Sequence, residues 1–407
     1  MTVAQCVAPQ STQELAEVLA RCDADGNKVL VVGGDTLAGM GLPPERVDLI
    51  LNTTALDKLL EYVPTDLTLS AQSGMAVQAI TTLLAQHGQF VPFDAPRPQY
   101  ATLGGTLAAG WLGPRRHLYG RVRDYVLGST IVLADGSVAR AGGIVVKNVA
   151  GYDMSRLYVG SFGTLGVLAS VNLKTLAAPR QARVFLARLP EGTRARACDH
   201  VAARLAIRPA AAFWIEGFPN AVDGADGIDG RMLILLEGSD ALLERATRDL
   251  RSTLGRAGVP ETRVVDAGAR EAFQRVVDAY VASLGERSVT YRFGSQPDDA
   301  ERRAIAVREL ATRHELRCET IVDVMNGDVV MRVSALDSRA LGSVIETFDD
   351  ALHDSEPRAQ VIASAHPHRS SLRVWGEPPA TIERMRELKR CFDPNNTLNA
   401  GRFVGGI

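Results

Sequence analysis

Three short runs combine glycine with a hydroxyl: Gly33-Gly34-Asp35-Thr36, Leu103-Gly104-Gly105-Thr106 and Gly160-Ser161-Phe162-Gly163-Thr164-Leu165-Gly166. Consecutive amide groups in such turns form electropositive nests that hold anions without basic side chains. They point to a phosphate-bearing cofactor. The segment from Ala101 to Val167 holds 13 of the chain's 37 glycines. Glycine loses the most backbone entropy on folding, so turns or close backbone approach must account for that density. Acid–base and nucleophilic side chains are not grouped in the same way. The close histidine pair His366-Pro367-His368 falls in an expected loop near the C-terminus, where ordinary surface histidines are the competing reading. Cys6, Cys22, Cys198, Cys318 and Cys391 are scattered, with no Cys-x-x-Cys. That spacing disfavours an iron–sulfur or zinc site in this chain and leaves buried reduced thiols as the reading. No catalytic residue is assigned, and no metal is expected.

The elements that must position the glycine runs follow from periodicity. Ser11 and Glu14 form a capping-box pattern ahead of Leu15, Val18, Leu19 and Cys22 at helical spacing. Val29 to Val32 reads as a buried strand that delivers the first glycine run. Further strands are expected at Val47 to Leu51 and Leu67 to Ala71, with a helix through Val77, Ile80, Leu83, Leu84 and His87 that stops at Gly88. Val126 to Leu133 is a strand turned back by Ala134-Asp135-Gly136-Ser137 toward Val138, and Asp153 caps a short helix through Leu157. Val167, Ala169, Val171 and Leu173 alternate, so a strand follows the last glycines. A Rossmann fingerprint has Gly-x-Gly-x-x-Gly after a strand and opening a helix. Here the spacing is Gly-x-x-Gly-x-x-Gly with a strand next, which disfavours a nicotinamide Rossmann domain.

Beyond a boundary at Ala177-Ala178-Pro179-Arg180, strands and helices alternate. Strands are expected at Phe185 to Leu189, Phe213 to Phe218, Met232 to Glu237 and Val289 to Phe293. Helices are expected at Leu242 to Leu254, Arg270 to Leu284, Asp299 to His314 and Ser338 to His353. Ile321 to Val333 reads as a hairpin turning at Asn326-Gly327-Asp328, and the whole as an antiparallel sheet with helices on one face. A last helix carries Met385, Leu388 and Phe392.

The 407 residues suffice for two or three domains, and 46% hydrophobic with 23% charged content is ordinary for a globular chain. A net charge of −2 offers no excess of Lys and Arg for a nucleic-acid partner. There is no N-terminal signal pattern and no apolar run near membrane-spanning length. The expectation is a soluble cytoplasmic protein that meets the inner face of a membrane only through partners.

Taken together, Gly33 to Thr36, Pro92-Phe93 and Ala101 to Ala108 resemble the FAD-binding half of the vanillyl-alcohol oxidase/p-cresol methylhydroxylase flavoproteins. The run Val146 to Gly166 and the tail Phe392-Asp393-Pro394 … Leu398-Asn399-Ala400-Gly401-Arg402 are similar to the branch that oxidises glycolate and D-2-hydroxy acids, nearest the glycolate oxidase FAD-binding subunits. Ala400 stands where that branch usually has proline. The resemblance implies an α+β fold: an FAD-binding domain over residues 1–177 in two subdomains (about 1–55 and 56–177), an α+β cap domain with an antiparallel sheet over 178–355, and a C-terminal segment, 356–407, returning to the first domain. It implies non-covalent FAD, since no histidine stands near Gly33 to Gly41 or between Pro92 and Gly113 where covalently flavinylated relatives carry the linking residue. Carried over by position, the cofactor-binding residues are Gly33, Gly34, Asp35, Thr36, Pro92, Leu103, Gly104, Gly105, Thr106, Ala108, Gly160, Ser161, Gly163, Thr164, Gly166, Val167 and Asn399. Gly33 to Thr36 and Leu103 to Thr106 hold the pyrophosphate through backbone amides, and Asn399 approaches the flavin ring. Arg115, Arg116 and Arg123 are either helpers or structural, and Trp375-Gly376 packs either near the flavin or in a core.

Catalytic members of that branch usually carry a cap-domain segment with two histidines around a Gly-Asp turn. Here it reads Val324-Met325-Asn326-Gly327-Asp328-Val329-Val330-Met331-Arg332, without either histidine, and neither Met nor Val accepts a proton near neutral pH. The resemblance therefore implies an FAD-binding subunit of a multi-subunit glycolate oxidase, partnered by a catalytic FAD subunit and an iron–sulfur subunit and meeting a small hydroxy acid through the complex. Two alternatives stand beside it: a self-sufficient FAD-dependent D-2-hydroxy-acid dehydrogenase, and a non-redox scaffold with a vestigial flavin site.

Overall fold

A computed structural model describes residues 5–144, 153–189, 192–218, 221–222, 230–259, 262–336, 341–365 and 369–407. The chain divides into two compact units, the first from Met1–Gly113, Arg121–Ala178 and Pro378–Ile407, the second from Pro114–Gly120 and Pro179–Glu377. The run Val146 to Tyr152, the pair His366 and His368, and Ser338 lie outside the described residues.

Unit 1 starts with β1 (Gln5–Val7), α1 (Thr12–Ala24), β2 (Val29–Val32) and β3 (Leu49–Asn52), the strands forming a parallel sheet in the order β1-β3-β2. The cap pattern works as the sequence implies, Ser11 Oγ accepting from Glu14 N at 3.1 Å. The apolar stripe Leu15, Val18, Leu19 and Cys22 is buried. A second sheet runs β4 (Leu59–Val63), β5 (Thr68–Gln72), β9 (Val167–Lys174), β7 (Val126–Val132) and β8 (Val138–Gly142), antiparallel throughout. Around it lie α2 (Val77–Ala85), the β6–β10 pair (Gln89–Phe90 with Leu176–Ala177), α3 (Leu103–Ala108) and α5 (Ser155–Tyr158). One core joins α1 to both sheets through Leu15, Leu19, Val29, Leu51, Val132, Val167 and Leu398. The presence of Leu398 shows why the tail matters: Val29 N donates to Thr397 O at 2.8 Å and Asn399 N to Val29 O at 2.9 Å, so the C-terminus extends the edge of the first sheet beside β2.

Unit 2 is one eight-stranded antiparallel sheet, β14-β11-β13-β12-β16-β17-β15-β18. Its strands are β11 (Gln181–Leu189), β12 (Ala211–Glu216), β13 (Gly230–Gly238), β14 (Thr262–Val265), β15 (Ser288–Gly294), β16 (Leu316–Asp323), β17 (Asp328–Ala335) and β18 (Gln360–Ser364). Helices α6 (Arg194–Arg204), α7 (Asp240–Arg256), α8 (Ala269–Ala279), α9 (Ala300–Arg313) and α10 (Val344–Ser355) accompany it. Met232 to Leu236 on β13 are each at most 1% exposed, so both faces of this strand are covered. The β16–β17 hairpin pairs Asp323 with Asp328 and turns through Val324–Gly327, beginning two residues and ending one residue before the expected Asn326-Gly327-Asp328. Gly327 is required there: its φ is +75°, and a Cβ would lie 2.1 Å from Ser295 O.

The insertion Pro114–Gly120, with short helix α4 (Arg116–Tyr119), is fixed within unit 2 by buried charges. Arg115 Nη1 bonds Glu237 Oε1 at 3.0 Å, Tyr119 OH donates to Glu237 Oε2 at 2.9 Å, and Arg116 Nη2 meets Asp328 Oδ2 at 2.9 Å. Arg115 and Arg116 are therefore structural, not helpers at a glycine turn. Arg123 is exposed, and Trp375 is a half-buried residue of unit 2.

Candidate functional site

Within unit 1 the glycine runs converge on one cleft. Twelve of the seventeen residues expected to bind a cofactor line it: Gly33, Gly34, Asp35, Thr36, Gly104, Gly105, Thr106, Ala108, Gly163, Gly166, Val167 and Asn399. The other five do not. Pro92 is buried, and Leu103, fully buried, points into the core with Phe93 and Leu107. Gly160, Ser161 and Thr164 face a separate apolar cavity with Met385, Leu388 and Phe403. The Ser161 and Thr164 hydroxyls close their own loop, donating to Tyr158 O at 2.9 Å and Ser161 O at 2.7 Å.

The two turns expected to bind phosphate differ in what they have left to offer. Among the described residues, the amides of Gly33, Gly34, Asp35 and Thr36 make no hydrogen bond within the protein. Asp35 sits at φ +55°, the left-handed step that fans successive N–H groups toward one point. The second turn has no such surplus. Leu103 N donates to Met75 O (2.9 Å), Gly104 N to Ser73 O (2.7 Å), Gly105 N to Thr102 Oγ1 (3.1 Å) and Thr106 N to Thr102 O (3.0 Å). These amides are the capped start of α3, and they are not the free phosphate donors the sequence implied.

Its glycines have another reason. A Cβ at Gly104 would stand 2.7 Å from Ser73 Cβ, and one at Gly105 2.9 Å from Thr102 Oγ1. The first turn is packed against the same stretch: a Cβ at Gly33 would stand 2.3 Å from Thr102 Oγ1, and one at Gly34 only 1.6 Å from Tyr100 O. Glycine here lets chain approach chain, which shapes the cleft wall.

Asn399 joins three segments. At φ +46° and 4% exposure, its Oδ1 accepts from Val31 N at 2.9 Å and its Nδ2 donates to Phe162 O at 2.8 Å. Its side chain is thus a clamp between β2, the glycine loop and the tail. Phe162 is held at φ +58°, an unusual conformation for a bulky residue, stacked on Phe403 and beneath the Arg402 guanidinium at 5.1 Å. Strained positions that persist in this way cluster at binding sites. Below the loop, the buried Lys389 ammonium donates to Thr164 O (2.9 Å), Leu398 O (2.9 Å) and Asp393 Oδ2 (2.5 Å). Burial pulls its pKa down, opposed by Asp393. Sequence reading gave this lysine no role: a lysine on a helix with Glu and Arg neighbours looks like a solvated face.

Residues the sequence reading missed include Val31, Thr53, Ser73, Thr102, Phe162, Leu168 and Arg402. Thr102 was legible as a cap ahead of Leu103 to Thr106; Ser73 carried no signal.

In unit 2 the hairpin that lacks histidines holds a different cluster. Asp323 accepts from Met325 N (3.2 Å), Asn326 N (3.1 Å) and Asn326 Nδ2 (2.7 Å), while Asp328 pairs with Arg116 and Arg292. Burial, then repulsion from Asp328, pushes Asp323 up to about 7. Arg332 is paired with Glu319 beneath the Phe218 ring.

Comparison with known proteins bears on both the cleft and the fold. Residues 3–142 match the family model described as FAD binding domain. The chain is 39% identical over 170 residues to glycolate oxidase subunit GlcE of Escherichia coli, covering 42% of this chain and 48% of that protein. It is 25% identical over 434 aligned positions to glycolate oxidase subunit GlcD of Bacillus subtilis, covering 98% and 88%. D-2-hydroxyglutarate dehydrogenase of Xanthomonas citri is 31% identical over 45% of this chain and 39% of its own length. The match thus spans less than half of the first and third of these relatives. Among solved structures, p-cresol methylhydroxylase with substrate bound superimposes with a TM-score of 0.73 at 15% identity over 98% of this chain and 88% of that one, a likeness of fold.

Proposed function

We propose that this chain, whose residues 3–142 match the FAD binding domain model, is the FAD-binding subunit of a multi-subunit glycolate oxidase. The observation that carries the reading is the cleft wall at Gly33 to Thr36, with four adjacent amides unspent among the described residues. An FAD pyrophosphate is dense in acceptors and needs such donors in little space; the cleft's unspent amides fit it without a lysine in the lining. FAD supplies acceptance of the electron pair released when an alcohol carbon becomes a carbonyl. The chain's own residues bind and orient: the first turn holds the anion, the Thr102-to-Thr106 turn sets the wall, and Asn399 fixes the glycine loop against β2. Binding is non-covalent, in keeping with the absence of histidine from the described cleft lining.

The hairpin Asp323-to-Arg332 supports a subunit that leaves substrate chemistry to a partner. Its carboxylates are bonded to arginines and to Asn326, and no imidazole is present to take the hydroxyl proton. A catalytic flavoprotein subunit and an iron–sulfur subunit would complete the complex. The similarity to D-2-hydroxyglutarate dehydrogenase favours a second reading, a self-sufficient D-2-hydroxy-acid dehydrogenase. Purified alone with FAD, the chain is expected to show flavin absorbance bands yet to reduce dye negligibly with glycolate or D-lactate. Rapid dye reduction would establish the second reading; absence of flavin bands after FAD addition would leave a scaffold without cofactor.

A further inference from the structure

Ser73 follows β5 at the cleft, 1% exposed, and among the described residues its hydroxyl has no hydrogen-bond partner. Its backbone is fully committed, N donating to Ala169 O at 3.0 Å and O accepting from Gly104 N at 2.7 Å, so the residue is held rigidly. Two other hydroxyls of the lining are occupied. Thr53 donates to Val32 O at 3.2 Å and Thr106 to Thr102 O at 2.8 Å. Native folds rarely retain a buried hydroxyl without a partner unless something outside the chain supplies one.

The position of Ser73 says which group that is. The Thr102-to-Gly105 turn touches Ser73 on one side, where a Cβ at Gly104 would lie 2.7 Å from Ser73 Cβ. It touches the first glycine turn on the other, where a Cβ at Gly33 would lie 2.3 Å from Thr102 Oγ1. Unspent donors therefore flank one turn from two sides: the amides of Gly33 to Thr36 and the Ser73 hydroxyl. Donors gathered in this way suit the acceptor-rich, anionic part of a ligand better than its apolar ring. We propose that Ser73 Oγ–H donates a hydrogen bond to a phosphoryl oxygen of bound FAD. The assignment rests on the cofactor reading above and adds to it a binding residue outside the glycine turns.

The test measures FAD affinity by fluorescence titration of the apoprotein and the two pyrophosphate resonances by 31P NMR of the loaded protein, for wild type, Ser73→Ala and Ser73→Cys. Ala removes the donor, and Cys keeps the volume beside Gly104 with a weak donor. Both variants are expected to bind FAD about tenfold more weakly, the loss typical of one hydrogen bond to a charged acceptor, with one pyrophosphate resonance moved. Unchanged affinity and unmoved resonances in Ser73→Ala would overturn the assignment, since a water could then serve the hydroxyl. Weaker binding with unmoved resonances would also overturn it, by placing the contact elsewhere on FAD. So would wild-type binding by Ser73→Cys, which would make the effect one of volume. A wild type that takes up no FAD would remove the cofactor reading itself, an outcome distinct from a loaded wild type matched by its variants.

Discussion

Two turns of unit 1 carry nearly the same letters, Gly33-Gly34-Asp35-Thr36 and Leu103-Gly104-Gly105-Thr106, and do opposite things with their amides. The first follows a parallel strand and bends through a left-handed Asp35, leaving four N–H groups without an acceptor among the described residues. The second starts a helix, and its N–H groups are taken by Met75, Ser73 and the Thr102 cap. Glycine marks both because at both a Cβ would run into neighbouring chain, whether side chain or backbone. What a glycine turn can bind is set by where its amides point, and composition does not record that.

The comparison can be broken most severely at Gly34. In Gly34→Val the new Cβ would meet the Tyr100 carbonyl, a backbone atom that cannot swing aside. A loss of at least about 3 kcal/mol in urea unfolding is expected, together with loss of bound flavin, since overpacking against backbone is at the costly end of such changes. Near-normal stability would mean that the two turns are not braced on each other.

A smaller effect separates the turns from the rest of the chain by pH. Amide donors do not titrate, whereas unit 2 holds Asp323, raised by burial to about 7. A carboxyl whose folded pKa lies above its unfolded value near 3.9 stabilises the fold fully only below the unfolded value, and the contribution is lost as pH rises through the folded one. Unit 2 should therefore lose about 2 kcal/mol between pH 5 and pH 8 by calorimetry, and Asp323→Asn should flatten that slope. A slope unaffected by the substitution would assign the pH dependence to another group.

The smallest change is expected at Thr102. Removing its hydroxyl in Thr102→Ala deletes the cap of α3, which should cost about 1 kcal/mol in thermal unfolding. FAD binding should weaken less than in Ser73→Ala. A larger loss of FAD than of stability would show that the second turn contacts the ligand directly, and the contrast between the turns would narrow.

Much of the scaffold was readable in the chain. Leu15, Val18, Leu19 and Cys22 recur at helical spacing because one face of α1 must be buried, and they are buried. Val167 to Leu173 alternate because β9 lies inside a sheet with unlike faces, and the hydroxyl-and-glycine runs mark the cleft because only such residues allow backbones to approach so closely. Sequence periodicity reports burial along one element, so it located these features without any knowledge of their neighbours. It could not report partners distant in the chain. That the amides of Leu103 and Gly104 are spent depends on Met75 and Ser73, some thirty residues away. That Asn399 clamps the loop instead of standing free toward a ring depends on Val31 and Phe162, and that Lys389 is buried depends on Thr164 and Asp393. The letters determined which elements form and where the backbone runs close; only the tertiary structure decided which polar groups are satisfied by the protein and which are left for a ligand, because a hydrogen bond is a relation between two places and the sequence lists them one at a time.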